Sequence, residues 1–281
     1  MVIPTVGRPL LEACLESVAA GGTWPAELIV VDQGASPAVA SWIERLRIRG
    51  MNARHVPSSR TGIAAGTNQG LRLVRSRFVA VTHDDCRVRS DWLVRLAERL
   101  PTIGDAVLTG RVEPDGDGIV LTVKLATEPA VYRAPQLHAD VLFPPNMAFP
   151  IRLLRRVGAF DEHRSLLTAG EDNDWAYRAL RAGVPVVYDP AITVGHLARF
   201  TRSDLPALYR RYARGQGAFY GKHLRRGDAF IARRALHDLL RAPWLLLRGL
   251  ATRNTELIAM GTGEVTGLPH GILAGLRNDG R

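Results

Sequence analysis

The sequence predicts an α/β fold, a mixed but mostly parallel sheet flanked by helices, followed by a basic helical extension. Three observations predict it. Up to about residue 100, short apolar runs alternate with stretches of helical periodicity, the spacing of βαβ units. Two of those runs end abruptly in acids, Asp32 after "ELIVV" and Asp84 and Asp85 after "FVAVT". From about residue 201 the pattern is helical and basic: residues 201–281 hold 14 Lys+Arg against 6 Asp+Glu, a net of +8, while residues 1–200 hold 23 against 21. The expected division is therefore a sheet domain over 1–200 and a helical extension over 201–281.

The elements follow in order. "VIPT" is a short apolar strand, and "RPLLEACLESVAAGG" a helix with Pro9 near its start, Leu11, Leu15 and Val18 on one face, and glycines as a stop. "ELIVVDQG" is a buried strand, "AVASWIERLRIRG" a helix ended by Gly50, and "ARHVPS" a short strand. "IAAGTNQGLRLVRS" turns Ile63, Leu71 and Val74 inward as a helix, "FVAV" is a strand, and "SDWLVRLAERL" is a helix with Ser90 as its N-cap. The regularity then breaks. "AVLTGRVEP", "GIVLTVKLA" and "PVVYDPAITV" have strand character but lie apart, separated by the turn "PDGDG" and the long stretch "TEPAVYRAPQLHADVLFPPN". A connection of that length is more often functional than idle.

With 281 residues and 46% apolar content the chain has ample material for a packed interior. Its two cysteines, Cys14 and Cys86, have neither metal-ligand spacing nor a disulfide framework, which suits a reducing compartment. The opening "MVIPTVGRPL" lacks the pattern of a signal peptide, and no stretch approaches the run of about 20 apolar residues that crosses a bilayer. A cytoplasmic protein is expected. The tail segments "LYRRYARGQGAFYGKHLRRGD" and "LLRAPWLLLRGL" join arginine clusters to Tyr, Phe and Trp. They fit peripheral contact with the inner face of a membrane, or equally a packed appendage or subunit contact; nucleic acid is not expected. The oligomeric state is left open.

Ligands of an open α/β sheet bind outside the carboxyl ends of its strands. Adjacent carboxylates there repel unless something positive lies between them, and Mg2+ or Mn2+, which also takes phosphate oxygens, answers that need for Asp84 and Asp85. The plain alternative is two solvated loop residues capping the next helix. In "AGEDNDWAYRALRAG", Glu171, Asp172 and Asp174 crowd the first turn of a helix whose apolar face carries Trp175, Ala176, Ala179 and Leu180. The helix dipole favours acids there, yet three carboxylates in four residues exceed what capping needs, and one held in a crevice fits a general base. His196 after "AITVG" is open between a structural role and a site role. Gly62, Gly66 and Gly70 do not form G-x-G-x-x-G, so a dinucleotide fingerprint is not supported.

In order along the chain, "VIPTVGRPLLEACLESV", "ELIVVDQGAS", "RTGIAAGTNQGL", "FVAVTHDDC…DWL", "PPNMAFPIRLLRRVGAFDE", "GEDNDWAYRALRAG" and "VVYDPAITVGH" resemble the family 2 glycosyltransferases of GT-A fold. The resemblance spans residues 2 to about 200. It implies inverting transfer of a sugar from a UDP-, GDP- or dTDP-linked donor to a hydroxyl of a glycan, lipid-linked or small-molecule acceptor. It places Pro4, Thr5, Arg8 and Asp32 at the nucleotide, with Arg60, Gly62 and Asn68 shaping the wall. It further places Asp84 near the donor ribose or sugar, Asp85 and His196 on Mg2+ or Mn2+, and Asp172 as catalytic base. Asn146 and Glu171 fall on the donor-sugar or acceptor side, though Asn146 fits a purely structural role as well. The long connection before Asn146 becomes a candidate acceptor loop or lid. His83 stands where many relatives carry a further acid, and the roles of Asp84 and Asp85 are exchangeable. Two other functions share parts of this pattern: a sugar nucleotidyltransferase, whose activating loop "IPTVGRPL" matches poorly, and a silent nucleotide-sugar or glycan-binding module.

Overall fold

The structure, a computed structural model, describes residues 1–137, 140–163, 169–197 and 200–277. Met1–Pro135, Val141–Phe160 and Trp175–Arg199 form one compact unit; Gln136–Asp140, Asp161–Asp174 and Phe200–Arg281 form a second. The sequence suggests a single cut at residue 200, whereas the helical unit also takes two short segments from before that point, Glu171 and Asp172 among them.

The first unit is built on nine strands: β1 (Val2–Thr5), β2 (Leu28–Asp32), β3 (Ala53–Pro57), β4 (Phe78–Val81), β5 (Cys86–Val88), β6 (Val107–Asp115), β7 (Ala130–Tyr132), β8 (Met147–Pro150) and β9 (Val186–Leu197). They form one sheet in the order β3-β2-β1-β4-β8-β6-β9-β5, with β7 also on β9. The β1–β2, β2–β3, β1–β4 and β6–β9 pairs are parallel; β8 runs antiparallel between β4 and β6, and β5 and β7 run antiparallel to β9.

Strand side chains alternate between two cores. Ile3, Leu28 and Val30 face α1 (Leu10–Ala19), α2 (Pro37–Ile48) and α4 (Trp92–Arg99), while Val2, Ile29 and Val31 face α3 (Ile63–Leu73), α5 (Leu154–Val157) and the Trp175–Leu180 part of α6 (Glu171–Arg181). A sheet buried on both faces needs apolar residues at every position, which is why β1 and β2 read as unbroken hydrophobic runs. Leu11, Leu15 and Val18 are buried as their spacing predicts.

Three local expectations are corrected. Asp91, not Ser90, occupies the cap position of α4, and it makes no side-chain capping bond. "GIVLTVKLA" is not a strand among the described residues; it holds isolated bridge residues, Ile119 and Lys124, the latter paired with Val112. The segments "CRV" and "MAFP" are strands, too short to announce themselves by periodicity, and they form only because β9 and β4 offer edges to pair with. Residues 138 and 139 of the long connection lie outside the described residues; the rest of it contains β7 and a 3-10 turn over Pro144–Asn146.

The second unit packs α7 (Leu205–Leu224), α8 (Ala229–Thr252) and α9 (Thr255–Leu276). The α7–α9 seam is made of glycine. A Cβ added at Gly271 would stand 2.0 Å from the Arg214 carbonyl oxygen, at Gly275 2.3 Å from that of Ala218, and at Gly221 2.2 Å from that of Ile272. The α9 glycines 263, 267, 271 and 275 recur every fourth residue and so share one face, and along it the two backbones touch. The same spacing is visible in the sequence, where it passes for loop-like glycine content. Ala at a helical position usually gains about 1 kcal/mol over Gly, so Gly271→Ala should reverse that sign. The expected loss is about 2 kcal/mol or more, read as a lowered denaturation midpoint, while Gly22→Ala, with nothing within 4 Å, leaves the midpoint unchanged.

Candidate active site

The strand order reverses around β1, with β2 on one side and β4 on the other, the kind of place where open α/β sheets bind ligands. Thr5 closes β1 and Asp84 follows β4 by three residues. Their side chains meet: Thr5 Oγ1 donates to Asp84 Oδ2 at 2.7 Å. Arg8 completes the clasp with Nη2 on Oδ1 at 2.6 Å and Nε on Oδ2 at 3.1 Å, a forked guanidinium–carboxylate pair. Arg8 Nη1 also lies 3.6 Å from Asp85 Oδ2, so one cation serves both acids. About a third of the Arg8 side chain stays exposed, whereas Asp84 and Asp85 are buried. Burial raises the Asp84 pKa, against the pull of Arg8 and the Thr5 hydroxyl.

Asp85 has the opposite setting. Burial opposes its charge, but His196 above all, with Arg8, overcomes that and holds it at about 2. His196 reaches it because Cys86 and His196 are register partners across β5 and β9. Nε2 stands 3.6 Å from Asp85 Oδ1, an ion-pair distance rather than a hydrogen bond. The other ring nitrogen, Nδ1, sits 3.2 Å from the Thr122 carbonyl oxygen. A carbonyl and a carboxylate can only accept, so both ring nitrogens carry protons and His196 faces Asp85 as the imidazolium. His196 is raised in pKa, the Asp85 interaction outweighing its burial, while burial lowers His83 to about 4 and keeps it neutral.

Asp85, Cys86 and His196 have ligand atoms within 4.8 Å of one another. The Cys86 thiol is pushed well up by burial and by the Asp85 charge, so it stays protonated. The donor set for a cation is therefore one carboxylate and one imidazole.

Asp32, at the end of β2, is fully buried and takes backbone N–H bonds from Gly34 (2.9 Å) and Ser36 (2.8 Å), with His55 Nε2 at 3.0 Å. Its carboxylate thereby shapes the loop beside Pro4 and Thr5. Gln33 Nε2 donates to the carbonyls of Arg60 (2.7 Å) and Gly62 (2.8 Å), fixing the turn where Gly62 adopts a φ of 100° to start α3. Asn68 and Asn146 make structural bonds. Asn68 exchanges two hydrogen bonds with the Phe160 backbone. Asn146 accepts from Trp92 Nε1 at 2.9 Å and donates to the carbonyls of Arg111 (2.9 Å) and Ile192 (2.7 Å).

The second acidic cluster belongs to the helical unit. Asp174 is fully buried and accepts from Lys222 Nζ at 2.7 Å and His223 Nε2 at 2.8 Å; Lys222 also pairs with Asp161 at 2.6 Å. Asn173 donates to Gln216 at 2.6 Å. These bonds tie the first turn of α6 to α7. Asp172 is half-buried, and its Oδ1 accepts only the Asn173 backbone N–H among the bonds described. Burial raises its pKa, and the charge of Asp140 raises it further. Asp140 is gripped by Arg234 of α8 at 2.5 Å, and Arg234 Nε donates to the Tyr220 hydroxyl at 3.1 Å. Glu171 is 7% exposed with Oε2 lacking a hydrogen-bond partner, and burial and the neighbouring Asp172 and Asp174 push its pKa up, which favours its protonated form. Lys222, His223, Arg234, Asp140 and His55 escape a sequence reading because each acts on a partner 23 to 94 residues away.

Similarity to known proteins identifies the family and the fold. The family model described as "Glycosyl transferase family 2" matches residues 1–159. A pre-mycofactocin glycosyltransferase of Mycobacterium tuberculosis is 30% identical over 262 residues, covering 89% of this chain and 51% of its own, so the chain spans about half the length of the curated relatives it matches. Among solved structures, a mannosyltransferase of Pyrobaculum calidifontis in complex with GDP-Man and Mn2+ aligns with a TM-score of 0.64 at 17% identity, over 99% of this chain and 86% of the other. S. aureus TarS 1-349 in complex with UDP-GlcNAc aligns at 0.57 and 15%, over 94% and 89%. These likenesses show the GT-A fold.

The bonds of Asn146 generate a prediction. Asn146→Ala would strand the Trp92 N–H and remove the donor to two carbonyls, so it should cost about 2 to 4 kcal/mol in urea unfolding. Stability unchanged together with weakened nucleotide affinity would instead make Asn146 a ligand contact.

Proposed function

The chain belongs to glycosyl transferase family 2, and from that premise we propose that it transfers a sugar, with inversion, from a nucleoside diphosphate donor to an acceptor hydroxyl. One observation carries the reading: Asp84 and Asp85 stand together at the carboxyl end of β4 with Arg8 and His196 against them, and the electrostatics of Asp172 differ from theirs. Asp85 is held as an anion at about 2 beside His196, while Asp172 is raised by burial and by Asp140 toward the range where a carboxylate exchanges protons near neutrality. Environments that separate the pKa values of two carboxylates separate their tasks.

Asp85 and His196 Nε2 would hold a divalent cation, and the imidazole favours Mn2+ over Mg2+. When bound, such a cation offsets the charge that grows on a departing diphosphate. Asp172 takes the proton of the acceptor hydroxyl as the oxygen bonds to the anomeric carbon; the diphosphate leaves from the opposite face, and one displacement inverts the centre. Thr5 and Arg8 keep Asp84 oriented, and the exposed part of Arg8 meets the nucleotide. Pro4, Asp32, Arg60 and Gly62 line the nucleotide pocket, with Asn68 and Asn146 holding its walls. Glu171 faces the acceptor or donor sugar as a neutral hydrogen-bond donor. The acceptor is a hydroxyl-bearing glycan, lipid-linked sugar or small molecule. The complexes of two fold neighbours with GDP-Man and with UDP-GlcNAc support a donor of this class.

Thermal stabilisation by UDP-, GDP- and dTDP-sugars with and without Mn2+ tests the reading, and the absence of any stabilisation by all three would overturn it. Asp85→Ala and His196→Ala should each weaken Mn2+-dependent nucleotide binding about tenfold to a hundredfold. Asp172→Asn should lower transfer by about a thousandfold or more while leaving nucleotide binding intact. Because the base must be ionised, the rate should rise with pH through the Asp172 pKa, about 6. Asp140→Asn removes a negative neighbour and frees the Arg234 cation, and both changes favour the Asp172 anion. That acid limb should therefore move to lower pH in the variant.

A further inference from the structure

Leu236, Leu240, Trp244, Leu247 and Leu250 of α8 are 58%, 68%, 55%, 66% and 55% exposed. Steps of four, four, three and three residues place all five on one face of the helix. The opposite face is spent inside its own unit, where Ile231, Arg234, Ala235, Ala242, Leu245 and Gly249 are buried. A surface of five large apolar side chains is unlike the single exposed hydrophobics of an ordinary protein surface. The exposed charges of α8 itself have one sign. Arg233 and Arg248 are exposed on the helix and Arg253 just beyond it, with the Arg248 guanidinium 5.2 Å over the Trp244 ring. No exposed position of α8 carries a carboxylate. Its one acid, Asp238, is turned to the Tyr220 hydroxyl at 2.5 Å and to His237 at 3.0 Å.

We propose that this face of α8 lies on an anionic lipid surface, with the leucines and Trp244 at the level where headgroups meet acyl chains and the arginines on lipid phosphates. Charge decides between occupants. A symmetric contact between two copies sets the same patch against itself, which would bring Arg233, Arg248 and Arg253 toward their own kind with no exposed acid of α8 to meet them. A negatively charged bilayer meets the same groups favourably, and the net of +8 over residues 201–281 strengthens the attraction. No helix among the described residues is long and apolar enough to cross a membrane, so α8 would lie in the plane of the interface. The inference goes beyond the transfer reaction and is tested separately from it.

The test is co-sedimentation of the full chain with phosphatidylcholine vesicles, with and without about a third phosphatidylglycerol. The wild type should pellet with the anionic vesicles and about tenfold less with the neutral ones, and salt should release it. The triple variant Leu240→Ser, Trp244→Ser, Leu247→Ser alters only exposed side chains, so it should keep its unfolding midpoint and its nucleotide-dependent stabilisation while losing vesicle binding about tenfold or more. Wild type that stays in the supernatant with anionic vesicles would overturn the proposal, as would a triple variant that pellets equally. A wild-type dimer in light scattering that the triple variant dissolves, without vesicle binding, would assign the face to self-association and overturn it too.

Discussion

Two neighbouring carboxylates at the dry end of a strand cannot be left alone, and much of the first unit is arranged around that constraint. Asp84 and Asp85 are both buried, so each charge needs its own compensation. Asp84 receives it from Arg8 and Thr5, which fixes the end of β1 against the end of β4 where the strand order reverses. Asp85 receives it chiefly from His196, which requires β9 to run the length of the site and β5 to fold back on it. One acid is thus clasped by a guanidinium and a hydroxyl, the other paired with an imidazole. The same two residue types diverge in role because their neighbours differ.

The helical unit answers a related problem at Asp174. A fully buried carboxylate is tolerated there because Lys222 and His223 both reach it, and those two residues are presented by a helix that the α7–α9 glycine seam holds close. Asp172, two residues earlier, has no such partner. It sits near Asp140, whose charge is only partly spent on Arg234, and the outcome is a carboxyl whose proton is loosened and regained near neutrality. Two carboxylates in the same turn of one helix thus have different surroundings.

Much of this was legible in the residues. The alternation of apolar runs, the acids at strand ends and the acids crowding the start of α6 led to a mostly parallel sheet with its chemistry at the carboxyl edge. The mixed, mostly parallel sheet and the C-terminal helices agree. Ser90 misled because a good capping residue one position early looks the same in sequence as one in register. "GIVLTVKLA" misled because β propensity needs a partner strand, and the segment finds only isolated bridges, Lys124 with Val112 among them. The short strands over "CRV" and "MAFP" were missed for the complementary reason: edges supplied by β9 and β4 create them.

The sequence by itself determined what is local and periodic: which segments are helices or buried strands, which side chains turn inward, and which residue types stand at the strand ends. Apolar spacing fixes these, and spacing is written along the chain. Only the tertiary structure decided which acid is neutralised by what. Arg8 lies 76 residues from Asp84, His223 lies 49 from Asp174 and Arg234 lies 94 from Asp140. The charge state of a buried group depends on the few atoms around it, and chain folding, not chain order, chooses those atoms.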